Sequence, residues 1–400
     1  MSRIDALVAR DCPDGVVYRT IGEVAGYSTT RLDAADLDEF SFVGVDNLLP
    51  NKAGRVNATH TPNTDRLTAY QEGDVLLGNI RPYLKKVWLA DGGGGCSGDV
   101  LAIRLRPGSG LLPEFLYYLL SSDPFFAYVM QRAKGAKMPR GDKAAIMQFR
   151  VPVPPVVIQR EIVAILDAFT ELEAELEAEL EARRTQFYWY RDELLRFDTT
   201  AERQVAPFGR LATIVRGGSP RPIQAFLTKD VDGVNWIKIG DVPAEGKYVT
   251  STAQRIRPEG VRRSRSVGPG DFILSNSMSF GRPYIVKIDG CIHDGWLAIQ
   301  DFEASFDANY LYHLLRSSQV AKTLAMQAGS GTVQNLNADI VKGLQLPRVP
   351  LEEQRRVAEV LDAFEALVGD IRVGLPAELV ARRKQYEYYR DRLLTFPEAS

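Results

Sequence analysis

The chain is written twice. Gly73-Asp74-Val75-Leu76-Leu77-Gly78-Asn79 returns as Gly270-Asp271-Phe272-Ile273-Leu274-Ser275-Asn276, and Arg81-Pro82-Tyr83 as Arg282-Pro283-Tyr284. Cys96, Asp99 and Leu101-Ala102-Ile103 match Cys291, Asp294 and Leu297-Ala298-Ile299, and Phe115–Leu120 matches Tyr310–Leu315. Gln159–Phe169 then matches Gln354–Phe364 at an offset of 195, and Tyr190-Arg191-Asp192 matches Tyr389-Arg390-Asp391 at 199. The second copy therefore carries four extra residues, around Val373–Pro376. A period this long is no solenoid unit; the repeat is a whole domain followed by a helix.

The helix is the best-matched part. Pro155–Phe197 holds no Gly and no Pro after its first residue, and writes ELEA three times, at Glu171–Ala174, Glu175–Ala178 and Glu179–Ala182. A step of about 100° per residue places Leu172, Leu176 and Leu180 on one stripe. Ile162, Leu166 and Phe169 extend it upstream, and Phe187, Tyr190 and Leu194 downstream. So narrow a seam suits a coiled-coil partner. The Glu residues of the tetrads form like-charged i,i+4 pairs, each unfavourable by roughly a few tenths of a kcal/mol, so the helix needs packing. Its own copy, Pro350–Phe396 with Val357, Leu361, Phe364 and Leu393, is the nearest candidate, in an antiparallel pair. Each tetrad adds about 6 Å of helix, close to two base pairs of DNA.

Around the helices the pattern changes. From Tyr18 to about Arg106, short apolar runs alternate with Gly, Asn, Asp and Pro, as strands do. From Pro113 the period becomes helical, with an interruption at Pro124. These signals predict a mixed α/β chain with residues 1–150 and 201–345 as two related domains, and 151–200 and 346–400 as helical regions. A chain of 400 residues exceeds what one core supports. The N-terminus lacks a secretory h-region and no long apolar run occurs, so a cytoplasmic protein is expected. The net charge of −2 conceals an uneven layout: residues 151–202 carry 12 acidic and 5 basic side chains, residues 203–345 carry 12 and 17.

Catalytic motifs are scarce. Gly92–Gly95 is followed by Cys-Ser-Gly-Asp, not Gly-Lys-Ser/Thr, and reads as a hairpin turn. Glu245-Gly246-Lys247, with Asp230, Asp232 and Asp241 upstream, has the spacing of a metal-dependent nuclease, but a loop explains it equally well. Three cysteines and three histidines make no metal quartet. No metal and no cofactor is expected. Polar and basic loops remain: Asn79, Arg81, Tyr83, Lys85 and Lys86; Lys134, Lys137, Arg140 and Lys143; Arg262, Arg263 and Arg265; Asn276, Ser277, Ser279, Arg282 and Tyr284; Gln334 and Asn335. Lys and Arg position a duplex at its phosphates, whereas Arg, Asn and Gln specify bases. These residues are the candidate DNA contacts. A shared frame with divergent loops, Gly54–Arg66 against Glu245–Arg265, is how one fold comes to read two targets.

VPVPPVVIQREIVAILDAF and LPRVPLEEQRRVAEVLDAF resemble the Pro-rich, Gln-containing start of the conserved helices in type I restriction–modification specificity subunits. The ELEA tetrads, the RRxQxxxYRDxLL endings and the two variable domains fit the same family. Val156-Val157-Ile158-Gln159 departs from its pattern, where the second copy has the more usual Leu351-Glu352-Glu353-Gln354. The resemblance implies two target-recognition domains, each reading half of a split, asymmetric site on double-stranded DNA, and an antiparallel coiled coil that sets the gap. It implies two modification subunits that methylate adenine with S-adenosylmethionine, and restriction subunits that use ATP and Mg²⁺. This chain itself would be non-catalytic. The competing expectation is a duplicated protein-interaction scaffold that does not bind DNA.

Overall fold

The structure, a computed structural model, describes residues 3–60, 62, 64–200, 204–242, 246–276, 281–328, 336–369 and 374–399. The helices in chain order are α1 (Arg3–Asp11), α2 (Ile21–Val24), α3 (Pro113–Leu120), α4 (Asp123–Gln131), α5 (Lys143–Met147), α6 (Val156–Leu194), α7 (Pro258–Val261), α8 (Ala308–Leu315), α9 (Ser318–Gln327), α10 (Ala338–Gly343), α11 (Leu351–Gly369) and α12 (Gly374–Leu393). The chain divides into two units, residues 1–177 with 379–400, and residues 178–378. No described helix is long and apolar enough to cross a membrane.

In the first unit, strands Ala25–Tyr27, Val100–Leu105, Val75–Gly78 and Val87–Leu89 form one sheet in that order. A second sheet has the order Arg31–Asp33, Arg66–Tyr70, Gly94–Cys96, Phe42–Val43. The strand Val75–Gly78 is buried on both faces because alternate side chains serve two cores. Val75 and Leu77 face α3 and α4, whereas Leu76 packs with Trp88 and Cys96 toward the other sheet. Gly92 and Gly93 carry the chain between the sheets, so the expected hairpin is instead a crossover. At Gly94 a Cβ would lie 2.0 Å from the Ser41 oxygen, which fixes glycine there.

The second unit repeats this frame. Thr213–Arg216, Trp296–Gln300, Phe272–Ser275 and Pro283–Val286 lie in the same order, extended by Tyr248–Val249. Phe272 and Leu274 face the helical core and Ile273 the other sheet. Its second sheet runs Arg265–Val267, Gly290–Ile292, Val234–Ile237, Gln254–Ile256, Leu227–Thr228. Among the described residues the last two strands have no equivalent in the first unit, whose sheet ends at Phe42–Val43 on that side. The register also corrects one sequence match. Tyr284 pairs with Ile273 as Trp88 pairs with Leu76. Tyr284 is thus the counterpart of the core residue Trp88 and not of Tyr83, which sits on a turn.

In each unit a long helix packs against a partner helix. In the first, Ile158, Ile162 and Leu166 of α6 are fully buried, each worth about 1.5–3 kcal/mol. Phe169 stacks on Tyr389 with centroids 5.8 Å apart. Arg383 of α12 donates to Glu173 (2.6 Å) and pairs with Glu177, which relieves the acidic tetrads. In the second, Leu180 and Phe187 of α6 pack with Leu361 and Phe364 of α11. Val357 is partly buried on the same core. Leu172 and Leu176 are half-buried.

Two expectations need correction. Tyr190 and Leu194 are 42% and 44% exposed. The seam instead steps from Phe187 through Arg191 to Leu195, and likewise from Tyr386 through Arg390 to Leu394, leaving Leu393 half-buried. The C-terminal helical region is also two helices rather than one: α11 ends at Gly369, and α12 starts at Gly374, whose φ of +71° is left-handed. The expected four-residue excess falls there; its Val373 lies outside the described residues.

Candidate nucleic-acid interface

Two of the loops singled out in the sequence come together in the first unit. Arg81 N–H donates to the Pro139 oxygen (2.7 Å), Gly141 N–H donates to the Asn79 oxygen (3.0 Å), and Ile80 pairs with Arg140 as a β-bridge. Asp99 holds both loops. Its backbone oxygen accepts from Asn79 N–H (2.8 Å) and its carboxylate from Arg140 Nε (3.1 Å). Arg81, Tyr83, Lys134, Lys137 and Arg140 stand exposed on these loops, and Lys143 is exposed at the start of α5. Arg81 and Lys85, on either side of the turn Pro82–Leu84, have φ of 52° and 51°. Such left-handed backbone costs on the order of 1 kcal/mol per residue and persists where the surroundings demand it.

Not every predicted contact is available. Asn79 is 5% exposed and serves the loop junction. Lys86 donates to the Val45 oxygen (2.7 Å), and Lys85 to Asp123 (2.7 Å). Asp123 also takes Lys52 (3.1 Å) and Arg390 (3.0 Å), an arginine only 1% exposed. Burial works against the Asp123 charge, but Lys85 and Lys52 more than offset it and hold its pKa well below the carboxylate range.

The second unit builds the same junction, with Leu336 where the first has Gly141, and adds another loop at Asp294. Asn276, 3% exposed, donates from Nδ2 to the Asp294 backbone oxygen (2.9 Å) and accepts from Leu336 N–H (2.9 Å). The Asp294 carboxylate accepts from Ser219 Oγ (2.6 Å) and lies 3.8 Å from Arg221. The Ser219 hydroxyl lowers its pKa. Asp99 and Asp294 match in the sequence repeat, although register sets Gly295 opposite Asn276, where its oxygen accepts from Asn276 N–H (3.2 Å) as that of Asp99 does from Asn79. The repeated aspartate holds Arg140 in one copy and the Ser219–Arg221 loop in the other. The repeat contained this signal, since both aspartates recur beside a repeated cysteine. Arg221 could not be found that way, because its loop is not repeated.

Among the other candidates here, Arg262, Arg263 and Arg265 are exposed, and Arg263 lies over the Phe226 ring at 5.5 Å. Arg282 is partly buried over Tyr284. Tyr284 is 1% exposed and edge-on to Trp296, so it cannot meet DNA. Ser277, Ser279, Gln334 and Asn335 lie outside the described residues.

The helices dock on their domains through groups that sequence reasoning left unexplained. Gln159 is fully buried, donates to the Gly110 (2.6 Å) and Pro154 (2.7 Å) oxygens and accepts from Leu112 N–H (2.8 Å). Gln354 repeats this with Ser305, Val349 and Asp307 at 2.8, 2.7 and 2.9 Å. One step further along, Tyr118 donates to Asp167 (2.5 Å), and the equivalent His313 meets Asp362 (2.8 Å). His313, Asp362 and Glu365 form a group with metal-like spacing. Its carboxylates already hold Lys247 (2.7 Å) and Arg316 (2.5 Å), so it is a docking cluster. Lys247 is thereby engaged structurally, and Glu245 of the nuclease-like pattern lies outside the described residues.

Comparisons with known proteins agree with this duplication. Residues 13–182 and 211–380 each match the type I restriction modification DNA specificity domain. The EcoR124I/EcoR124II specificity subunit of Escherichia coli is 31% identical over 264 residues, 63% of this chain and 64% of that protein. A putative type I restriction enzyme specificity subunit of Haemophilus influenzae is 30% identical over 71% of this chain and 72% of its own length. The fold is similar to a chain from a structural study of type I R-M complex assembly and conformational transition (TM-score 0.70, 20% identity, covering 96% and 98%). It is also similar to the HsdS subunit of Thermoanaerobacter tengcongensis (TM-score 0.52, 21% identity, covering 96% and 97%).

Proposed function

Because the chain belongs to the type I restriction–modification DNA specificity family, we propose that it selects the DNA target of such a system and assembles the subunits that act there. Each unit reads one half of a bipartite, asymmetric site on double-stranded DNA. The observation that carries this reading is the shared frame with unlike groups at the repeated aspartates, Arg140 at Asp99 and Arg221 at Asp294. Identical loops would read identical half-sites. Unlike loops on one scaffold read different ones, since base-edge contacts specify and phosphate contacts position.

The chain acts without chemistry of its own. Two modification subunits bring S-adenosylmethionine and methylate adenine, and restriction subunits bring ATP and Mg²⁺. The helices bind these partners and set the spacing. Purified chain with a cognate modification subunit is expected to methylate a bipartite site, mapped by methylome sequencing; a short continuous motif would overturn the reading. Deleting one ELEA tetrad should shorten the spacer by about two base pairs and leave both half-sites unchanged. DNA affinity should fall steeply with salt, whereas a protein-interaction scaffold would show no such slope.

A further inference from the structure

The second unit contains a cavity that the DNA-reading role does not by itself place. It measures about 430 Å³ and opens beside Asp294. Its floor is Trp236, 2% exposed, with the His293 ring 6.3 Å away. Burial lowers the His293 pKa against the pull of Asp294. Around the mouth stand Arg221, Gln224, Lys238 and Gln254. Arg221 and Gln224 are exposed, the Arg221 side chain at 84%.

Two features distinguish this cavity from an incidental dent. Leu227 and Gln254, which help line it, come from the two outer strands without an equivalent among the described residues of the first unit, Leu227–Thr228 and Gln254–Ile256. It is therefore an addition to the shared frame. It also lies at the aspartate that the sequence repeats. In the first unit the Asp99 carboxylate holds Arg140, and in the second the Asp294 carboxylate, which lines the cavity, holds Ser219.

We propose that this cavity mouth is the base-reading element of the second unit, with Arg221, Gln224 and Gln254 meeting base edges and Asp294 positioning their loop through Ser219. The chemistry matches: a Gln amide both accepts from and donates to an adenine edge, and an Arg fork donates twice to guanine. Lys238 at the rim suits a phosphate. The inference rests on the DNA-specificity reading above.

The test uses the full chain assembled with its modification subunit, with methylated sites mapped genome-wide. Arg221→Ala, Gln224→Ala and Gln254→Ala should each relax one position of the same half-site, lowering discrimination there by roughly tenfold or more, and leave the other half-site intact. Arg140→Ala should alter only that other half-site. Gln224→Glu, a volume-preserving change on an exposed loop, should move the preference at its position toward a base that donates, such as cytosine. Folded variants that keep the whole target, or that lose affinity equally on all sequences, would overturn the proposal. A wild-type complex that methylates no bipartite site would overturn the functional reading itself, and this inference with it.

Discussion

The two units share a frame and differ in what they hang on it. Both dock a helix through a buried glutamine, Gln159 and Gln354, with three equivalent backbone partners each. Both bury an arginine near the end of a helix, Arg390 at 1% exposure and Arg191 at 6%. Yet Arg390 reaches a cluster with Asp123, Lys52 and Lys85, whereas Asp192 beside Arg191 accepts from Ser318 N–H (3.0 Å) at the start of α9. At the repeated aspartates the contrast is sharper, because the tethered loop comes from a different part of each domain. Docking chemistry stays constant where the helices must be held. Loop chemistry varies where a target must be told apart.

That contrast can be broken by substitution. The largest expected effect is Arg390→Ala, which leaves a cluster of Lys and Asp without its buried member and should cost about 3 kcal/mol in chemical denaturation. Arg191→Ala should cost less, since its own aspartate retains the α9 contact. Equal losses would mean the two sites are equivalent after all. Gln159→Leu and Gln354→Leu should each cost about 2 kcal/mol, because backbone groups inside the protein lose their partners. Here the two units should respond alike, and unequal losses would break the shared frame.

Acid should separate the units from neutral behaviour in a defined direction. The Asp123 and Asp362 pKa values are lowered in the folded protein; burial opposes this, and Lys85 at one and His313 at the other lead the groups that overcome it. Their stabilisation is therefore complete above the ordinary carboxylate pKa, near ~4, and is lost as pH falls through the lower folded values. Asp123→Asn should flatten the fall in melting temperature between neutral pH and about pH 3. The smallest effect belongs to Arg383→Ala. Its side chain is 47% exposed, and its pairs with Glu173 and Glu177 should contribute no more than about 1 kcal/mol, measurable as loss of salt dependence.

Much of the frame was legible because repetition and period survive in sequence. Ile162, Leu166, Leu180 and Phe187 fall on the stripe that the helical step requires, and all four are buried. The basic loops around Arg81 and Arg140 were named separately, and only the fold brings them together. Matching by letters failed at Arg282-Pro283-Tyr284, because register decides which residue faces the core and Tyr284 took the place of Trp88. Gln159 and Gln354 were visible as repeated letters, but their role depends on backbone groups 47 and 49 residues away. Arg221 and Gln224 gave no signal, since nothing in the first copy corresponds to their loop.

The most direct test of one frame reading two targets is a chain whose residues 201–345 are replaced by a second copy of residues 6–150, assembled with the modification subunit and followed by methylome sequencing. Two identical units should methylate a target made of the first half-site twice, at an unchanged spacing. Retention of the original asymmetric site, or a continuous motif, would contradict the assignment of one half-site to each unit.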